Sequence, residues 1–115
     1  MNDTTPLEEV QPDHREIQRT AQLAKVLGHP IRLSIIMLLA QRTTCFCGDI
    51  TELFPRAQST VSQHLKALKE AGLVTCTLQG THTCYCLNPG GVSGLRASLK
   101  ALDGLLSDYQ PTSCT

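Results

Sequence analysis

"QSTVSQHLKALKEAGLV", residues 58 to 74, is the stretch on which the fold turns. Val61, Leu65, Leu68 and Gly72 fall at i, i+4, i+7 and i+11, so one face of a helix can be buried while Ser59, Ser62, Gln63 and Lys66 occupy the other. A solvated surface helix would show the same polar face. The residues downstream favour a more specific use. "LVTCTLQ", then "GTH", then "TCYCLN" read as two β-rich runs around a tight turn, a hairpin that follows the polar-faced helix directly. A generic surface helix needs no such neighbour.

Upstream, Ile17, Ala21, Ala24 and Leu27 recur at helical spacing from His14 to Leu27, and Gly28 followed by His29-Pro30 supplies a stop. Pro30 suits the first turn of a second helix, "PIRLSIIMLLAQ", whose Ile, Met and Leu density marks the core. The sequence predicts a third, short helix from about Gly48 to Phe54, ended by Pro55. After Pro89-Gly90-Gly91, Leu95, Leu99, Leu102 and Leu106 repeat at 4-3-4 spacing along a last helix, and that stripe needs a partner. Residues 1 to 12, with Pro6 and Pro12, read as a loose arm, 13 to 110 as the folded domain and 111 to 115 as a tail.

Helix, helix, short helix, polar-faced helix, hairpin, helix is the order of a winged helix-turn-helix, a fold that is mainly α with a β-hairpin. Its polar helix suits a DNA major groove. Gln63 and the serine hydroxyls can reach base edges, Lys66 and Arg56 can meet phosphates, and the wing tip "QGTH", with Thr81 and His82, can touch the neighbouring groove or backbone.

Composition limits the alternatives. With 115 residues, 41% of them hydrophobic, the chain can build one modest core. No apolar run approaches the roughly 18 residues that span a bilayer, and "MNDTTPLEEVQPD" is unlike a signal peptide, so we expect a cytoplasmic protein with no membrane partner. A formal net charge of zero argues against indiscriminate polyanion binding. The basic side is local: Arg56, His64, Lys66, Lys69 and His82 face only Glu70 between Arg56 and Pro89. No nucleophile-base-orienter set, Cys-x-x-Cys motif or glycine-rich phosphate loop suggests an enzyme or an organic cofactor.

Six cysteines without an export signal point to metal binding or redox sensing rather than to a disulfide framework. Two pairs share one pattern: Cys45-Phe46-Cys47 and Cys84-Tyr85-Cys86. On a helix, i and i+2 point about 200° apart; on extended chain they point the same way, so the spacing favours strands. Cys76 stands singly in the hairpin and Cys114 in the tail, and both read as packing or tail residues.

The motifs "LGHPIRLSII", "QSTVSQHLKALKEAGLV" and "GTHTCYCLN", spanning roughly residues 20 to 89, resemble the ArsR/SmtB-type repressors, small dimeric winged-helix regulators that sense metals, metalloids or thiol chemistry. The resemblance implies an operator-binding homodimer released by its ligand. It implies that the first and last helices, with Ile17, Ala21, Ala24, Leu95, Leu99, Leu102 and Leu106, form the dimer interface, and that Ser59, Thr60, Ser62, Gln63 and His64 lie at the DNA. Arsenic- and cadmium-sensing members carry a Cys-x-Cys where Cys45 and Cys47 sit, although here Gly48 adds a residue before Asp49-Ile50 and Thr51 stands where some members have a further cysteine.

In a winged helix the stretch before the turn unit commonly lies beside the last wing strand. That topology would set Cys45 and Cys47 next to Cys84 and Cys86 and turn Phe46 and Tyr85 into the core. Four thiolates could then converge on one soft ion. Arsenite or antimonite would take three, zinc or cadmium four, and copper(I) two or three; with no His or carboxylate at matching spacing, we expect a metalloid. The alternative is a redox or reactive-sulfur switch in which Cys45 or Cys47 forms a disulfide with Cys84 or Cys86.

Overall fold

Asp13 starts the first helix: its carboxylate accepts a hydrogen bond from the Arg15 amide at 2.9 Å, which satisfies one of the unpaired donors of α1 (His14–Leu27). The computed structural model describes residues 13–112; the arm expected at 1 to 12 and Cys114 lie outside the described residues. After Gly28 the His29 ring caps α2 (Pro30–Ala40), its Nδ1 accepting from the Ile31 amide at 3.1 Å, with Pro30 in the first turn as expected.

The predicted third helix takes a tighter form. Two 3₁₀ turns, Ile50–Leu53 and Pro55–Ala57, replace it. Asp49 caps the first by accepting from the Thr51 amide at 3.0 Å, and Pro55 prevents its continuation, so the segment is too short to propagate an α-helix. The polar-faced helix follows as α3 (Gln58–Glu70), burying Val61, Leu65 and Leu68, the three apolar positions its periodicity marks.

The hairpin is β2 (Val74–Gln79) and β3 (His82–Leu87), and Gln79 opposite His82 leaves Gly80-Thr81 as a two-residue turn. A third strand, β1 (Phe46–Cys47), pairs antiparallel with β3, giving the order β1-β3-β2. The last helix, α4 (Pro89–Ser107), is held to the end of α3: Asn88 donates from its side chain to the Gly72 carbonyl at 2.8 Å and from its amide to the Leu73 carbonyl at 2.9 Å.

One core joins these elements. Ile35 of α2, Ile50 before α3, Val61 and Leu68 of α3, and Leu73 are essentially inaccessible to solvent. Leu95 of α4 is buried in the same cluster, and Phe46 and Tyr85 pack against it, as expected. Among the described residues no single helix is long and apolar enough to cross a membrane.

Candidate functional site

Gly48 decides where the first cysteine pair lies. Its φ of +135° is a conformation side chains avoid, and its amide donates to the Thr83 carbonyl at 3.1 Å, so the chain leaves the strand here and turns into Asp49. Cys45 and Cys47 therefore sit on extended chain ahead of the 3₁₀ turn. The register then sets Phe46 opposite Tyr85 and Cys47 opposite Cys84. Cys45 faces Cys86 across the same strands, and the four sulfurs are joined as two disulfides, Cys45–Cys86 with Cα atoms 4.6 Å apart and Cys47–Cys84 at 4.0 Å.

The expected convergence of the two pairs is present, each cysteine of one pair facing a cysteine of the other. Cysteines this close across a ladder have their sulfurs within reach of one another. In this joined form no group of three or more His, Cys, Asp or Glu side chains among the described residues is arranged to hold a metal ion. The outer sulfurs are reachable, since Cys45 and Cys47 are exposed and Cys86 half-buried, whereas Cys84 retains 2% exposure. A cleft beside the Cys45–Cys86 pair is lined by Arg42, Thr43, Thr44 and Leu87. The Arg42 guanidinium lies 5.1 Å from the centre of the Phe46 ring and places a positive charge near the pair.

Cys76 takes the opposite face. It pairs with Tyr85, so its side chain shares the surface turned toward α3, where Ser62, Leu65, Lys66 and Lys69 surround it with Tyr85. It is a free cysteine apart from the two pairs. Burial pushes the Tyr85 phenol above its ordinary range, with Cys76 and Asp49 adding to the shift.

On α3, Ser59, Thr60, Ser62, Gln63 and Lys66 are exposed on the side away from the core, Arg56 is exposed in the second 3₁₀ turn, and Thr81 and His82 are exposed at the wing tip. His64 departs from this group. Its ring is half-buried, its Nδ1 accepts from Arg32 Nε at 3.0 Å, and it lies 4.1 Å from the His29 ring, so it faces α2 and not the surface the serines share. Burial first, then His29 and Arg32, hold its pKa below the ordinary 6.5. The physical reason is its place on the helix: it flanks the buried stripe one position before Leu65, where α2 meets α3. The sequence gives no sign of His29 and Arg32 as its neighbours, since nothing local marks a partner on another helix.

Along α1 and α4, Ile17, Ala21, Ala24, Leu99, Leu102 and Leu106 are exposed, together with Leu105, which the leucine stripe did not include. Ile17, Ala21, Ala24, Leu102 and Leu105 line one groove between the two helices. Leu95 is a correction: at 8% exposure it belongs to the chain's own core, because the start of α4 is pinned over Gly72 and Leu73 and turns that position inward.

Comparison with known proteins agrees with this architecture. Residues 29–75 match the family described as "Bacterial regulatory protein, arsR family". The arsenical resistance operon repressor of Bacillus subtilis (strain 168) is 42% identical over 80 residues, covering 69% of this chain and 75% of its own. A repressor of the same name from Escherichia coli (strain K12) is 36% identical over 69 residues, 59% of this chain and 58% of its own. A crystal structure described as a possible transcriptional regulator for arsenical resistance superposes with a TM-score of 0.57 at 35% identity, covering 78% of this chain and 97% of that one. The solution structure of a homodimeric winged helix-turn-helix DNA-binding domain from Mycobacterium bovis superposes at 0.54 with 27% identity, covering 90% and 96%. The fold, the exposed polar face of α3 beside its wing and these similarities together make this chain a member of the ArsR family of DNA-binding transcriptional repressors.

Proposed function

We propose that this repressor binds a palindromic operator as a homodimer and is released when a thiophilic metalloid, arsenite or antimonite before zinc, cadmium or copper(I), is held by thiolates of Cys45, Cys47, Cys84 and Cys86. The observation that carries this reading is the meeting of the two cysteine pairs across β1 and β3, with Cα separations of 4.0 and 4.6 Å. Once reduced, sulfurs carried on Cα atoms this close suit a small soft ion at ordinary bond lengths, and the donor set contains nothing hard. The names of the arsenical resistance repressors it resembles point the same way.

The same geometry supplies a mechanism. β1 leads through Gly48 and Asp49 into the turns that seat α3, and β3 is a wing strand. An ion bridging them ties together two elements that both position the DNA-reading helix. A coupling of about 1 to 3 kcal/mol between the two binding events would change operator affinity about 5- to 150-fold. The exposed groove residues of α1 and α4 are the surface that a second copy would cover, holding the two α3 helices roughly 34 Å apart to meet successive major grooves.

A second reading rests on the sulfurs being paired. Two cysteine thiols would give two protons and two electrons to a peroxide or polysulfide and form one S–S bond, with the same tie between β1 and β3. The test uses a duplex that the protein enriches from a random-sequence pool. In reducing buffer arsenite is expected to release the wild type, and not Cys45→Ser or Cys84→Ser, from that duplex. Release of both variants at the wild-type arsenite concentration would place the inducer elsewhere. Release by peroxide but not by arsenite would favour the disulfide switch.

A further inference from the structure

Arg32 joins three helices. Its Nη1 donates to the Val26 carbonyl at 3.3 Å, in the last turn of α1, where helix carbonyls lack intrahelical partners and a cation is favoured. Its Nε donates to His64 Nδ1 at 3.0 Å on α3. Because a guanidinium is planar and rigid, these two bonds fix the directions of both partners relative to α2. The helix that faces the dimer groove and the helix that carries the DNA-facing side chains thus meet on one group.

The bond to α3 exists in one protonation state. An Nδ1 that accepts from Arg32 carries no proton, so His64 is neutral with its hydrogen on Nε2. The His29 ring lies 4.1 Å from that of His64, tilted by 39°, with its Nδ1 accepting from the Ile31 amide. A proton on His64 Nδ1 would set N–H against N–H beside a permanent cation and a second imidazole. The charged and titratable groups that face it are His29 and Arg32 of α2.

We propose that Arg32, acting through neutral His64, is a positioning residue that seats the recognition helix against α1, and that operator affinity weakens when His64 takes up a proton. This rests on DNA binding alone and not on the thiol site, from which Arg32 and His64 stand apart in sequence. The depressed pKa of His64 has the sign this requires: the folded, seated state favours the neutral ring.

The test is fluorescence anisotropy with a duplex enriched by the protein from a random-sequence pool, read from about pH 8 to about pH 5.5. In His64→Asn the amide oxygen replaces Nδ1 as an acceptor and does not titrate. Relative to its own affinity at the upper pH, wild type is expected to lose about tenfold more than His64→Asn. Arg32→Lys, whose ammonium cannot span both acceptors, should bind more weakly at the upper pH and show a shallower decline. Parallel profiles for wild type and His64→Asn would overturn the proposal. Should His64→Asn not fold, the wild-type ring decides by NMR: titration that moves the Val26 and Leu27 amide signals supports the link, and titration that leaves them still refutes it.

Discussion

Cys47 stands directly opposite Cys84 on antiparallel strands, with their Cα atoms 4.0 Å apart and the rings of Phe46 and Tyr85 turned to the other side. Neighbours two positions along one strand are about 6.6 Å apart, so each sulfur is nearer a partner across the ladder than one along it. Peptide mapping of diamide-oxidised protein should therefore recover Cys45–Cys86 and Cys47–Cys84. Cross-links within Cys45-Phe46-Cys47 or within Cys84-Tyr85-Cys86 would mean that the register is wrong.

Much of this arrangement was legible because it follows from parity. A spacing of two on a strand puts both cysteines on one face, and a two-residue turn at Gly80-Thr81 pairs Thr77 with Cys84 and sets Cys76 on the opposite side with Tyr85. The turn length itself could not be read, since a three-residue turn reverses that parity with the same letters. Helix faces were readable where a single stripe dominates, as at Val61, Leu65 and Leu68. They failed at the edges of stripes. His64 flanks the buried face and Leu95 begins the leucine series, and each is decided by what lies across from it: Arg32 for one, the pinned start of α4 for the other. Local periodicity holds no information about such partners. The 3₁₀ form of the segment before α3 reflects a competition between a cap at Asp49 and a break at Pro55, which propensity alone does not resolve.

Gly91 should tolerate nothing larger. A Cβ there would be driven into the Gly72 carbonyl oxygen and to 3.3 Å from Leu73 Cα, backbone of two residues whose carbonyls accept from Asn88. Gly91→Ala is expected to cost about 2 to 3 kcal/mol of stability through forced separation of α4 from the end of α3. Urea unfolding in reducing buffer measures it. Gly94 serves as the control, because a Cβ added there would meet nothing within 4 Å, and Gly94→Ala should unfold no earlier than wild type.

Leu102 lines the groove between α1 and α4 and is 44% exposed in the isolated chain. If a second copy covers that groove, Leu102→Lys places an unpaired charge in an apolar interface, at a cost of several kcal/mol to association. Sedimentation equilibrium should show a wild-type dimer and a folded monomeric variant with unchanged helix content. The variant should lose most operator affinity, because one half-site contact replaces two. A variant that stays dimeric would move the interface off this groove.

His64 also makes folding stability depend on pH, with a sign fixed by the direction of its shift. Its folded pKa lies below the ordinary 6.5, so at and below that pH the unfolded chain binds more protons than the native one. The contribution is therefore complete above about pH 6.5 and is lost as pH falls through the folded value. Other groups, carboxylates above all, titrate in the acid range, and comparison with His64→Asn cancels them because the substitution removes one titration and keeps the acceptor. Urea midpoints at about pH 7.5 and about pH 5.5 should fall further for wild type than for His64→Asn. Equal falls would show that the proton reaches His64 without opposition, and the bond from Arg32 would then have no hold on the recognition helix.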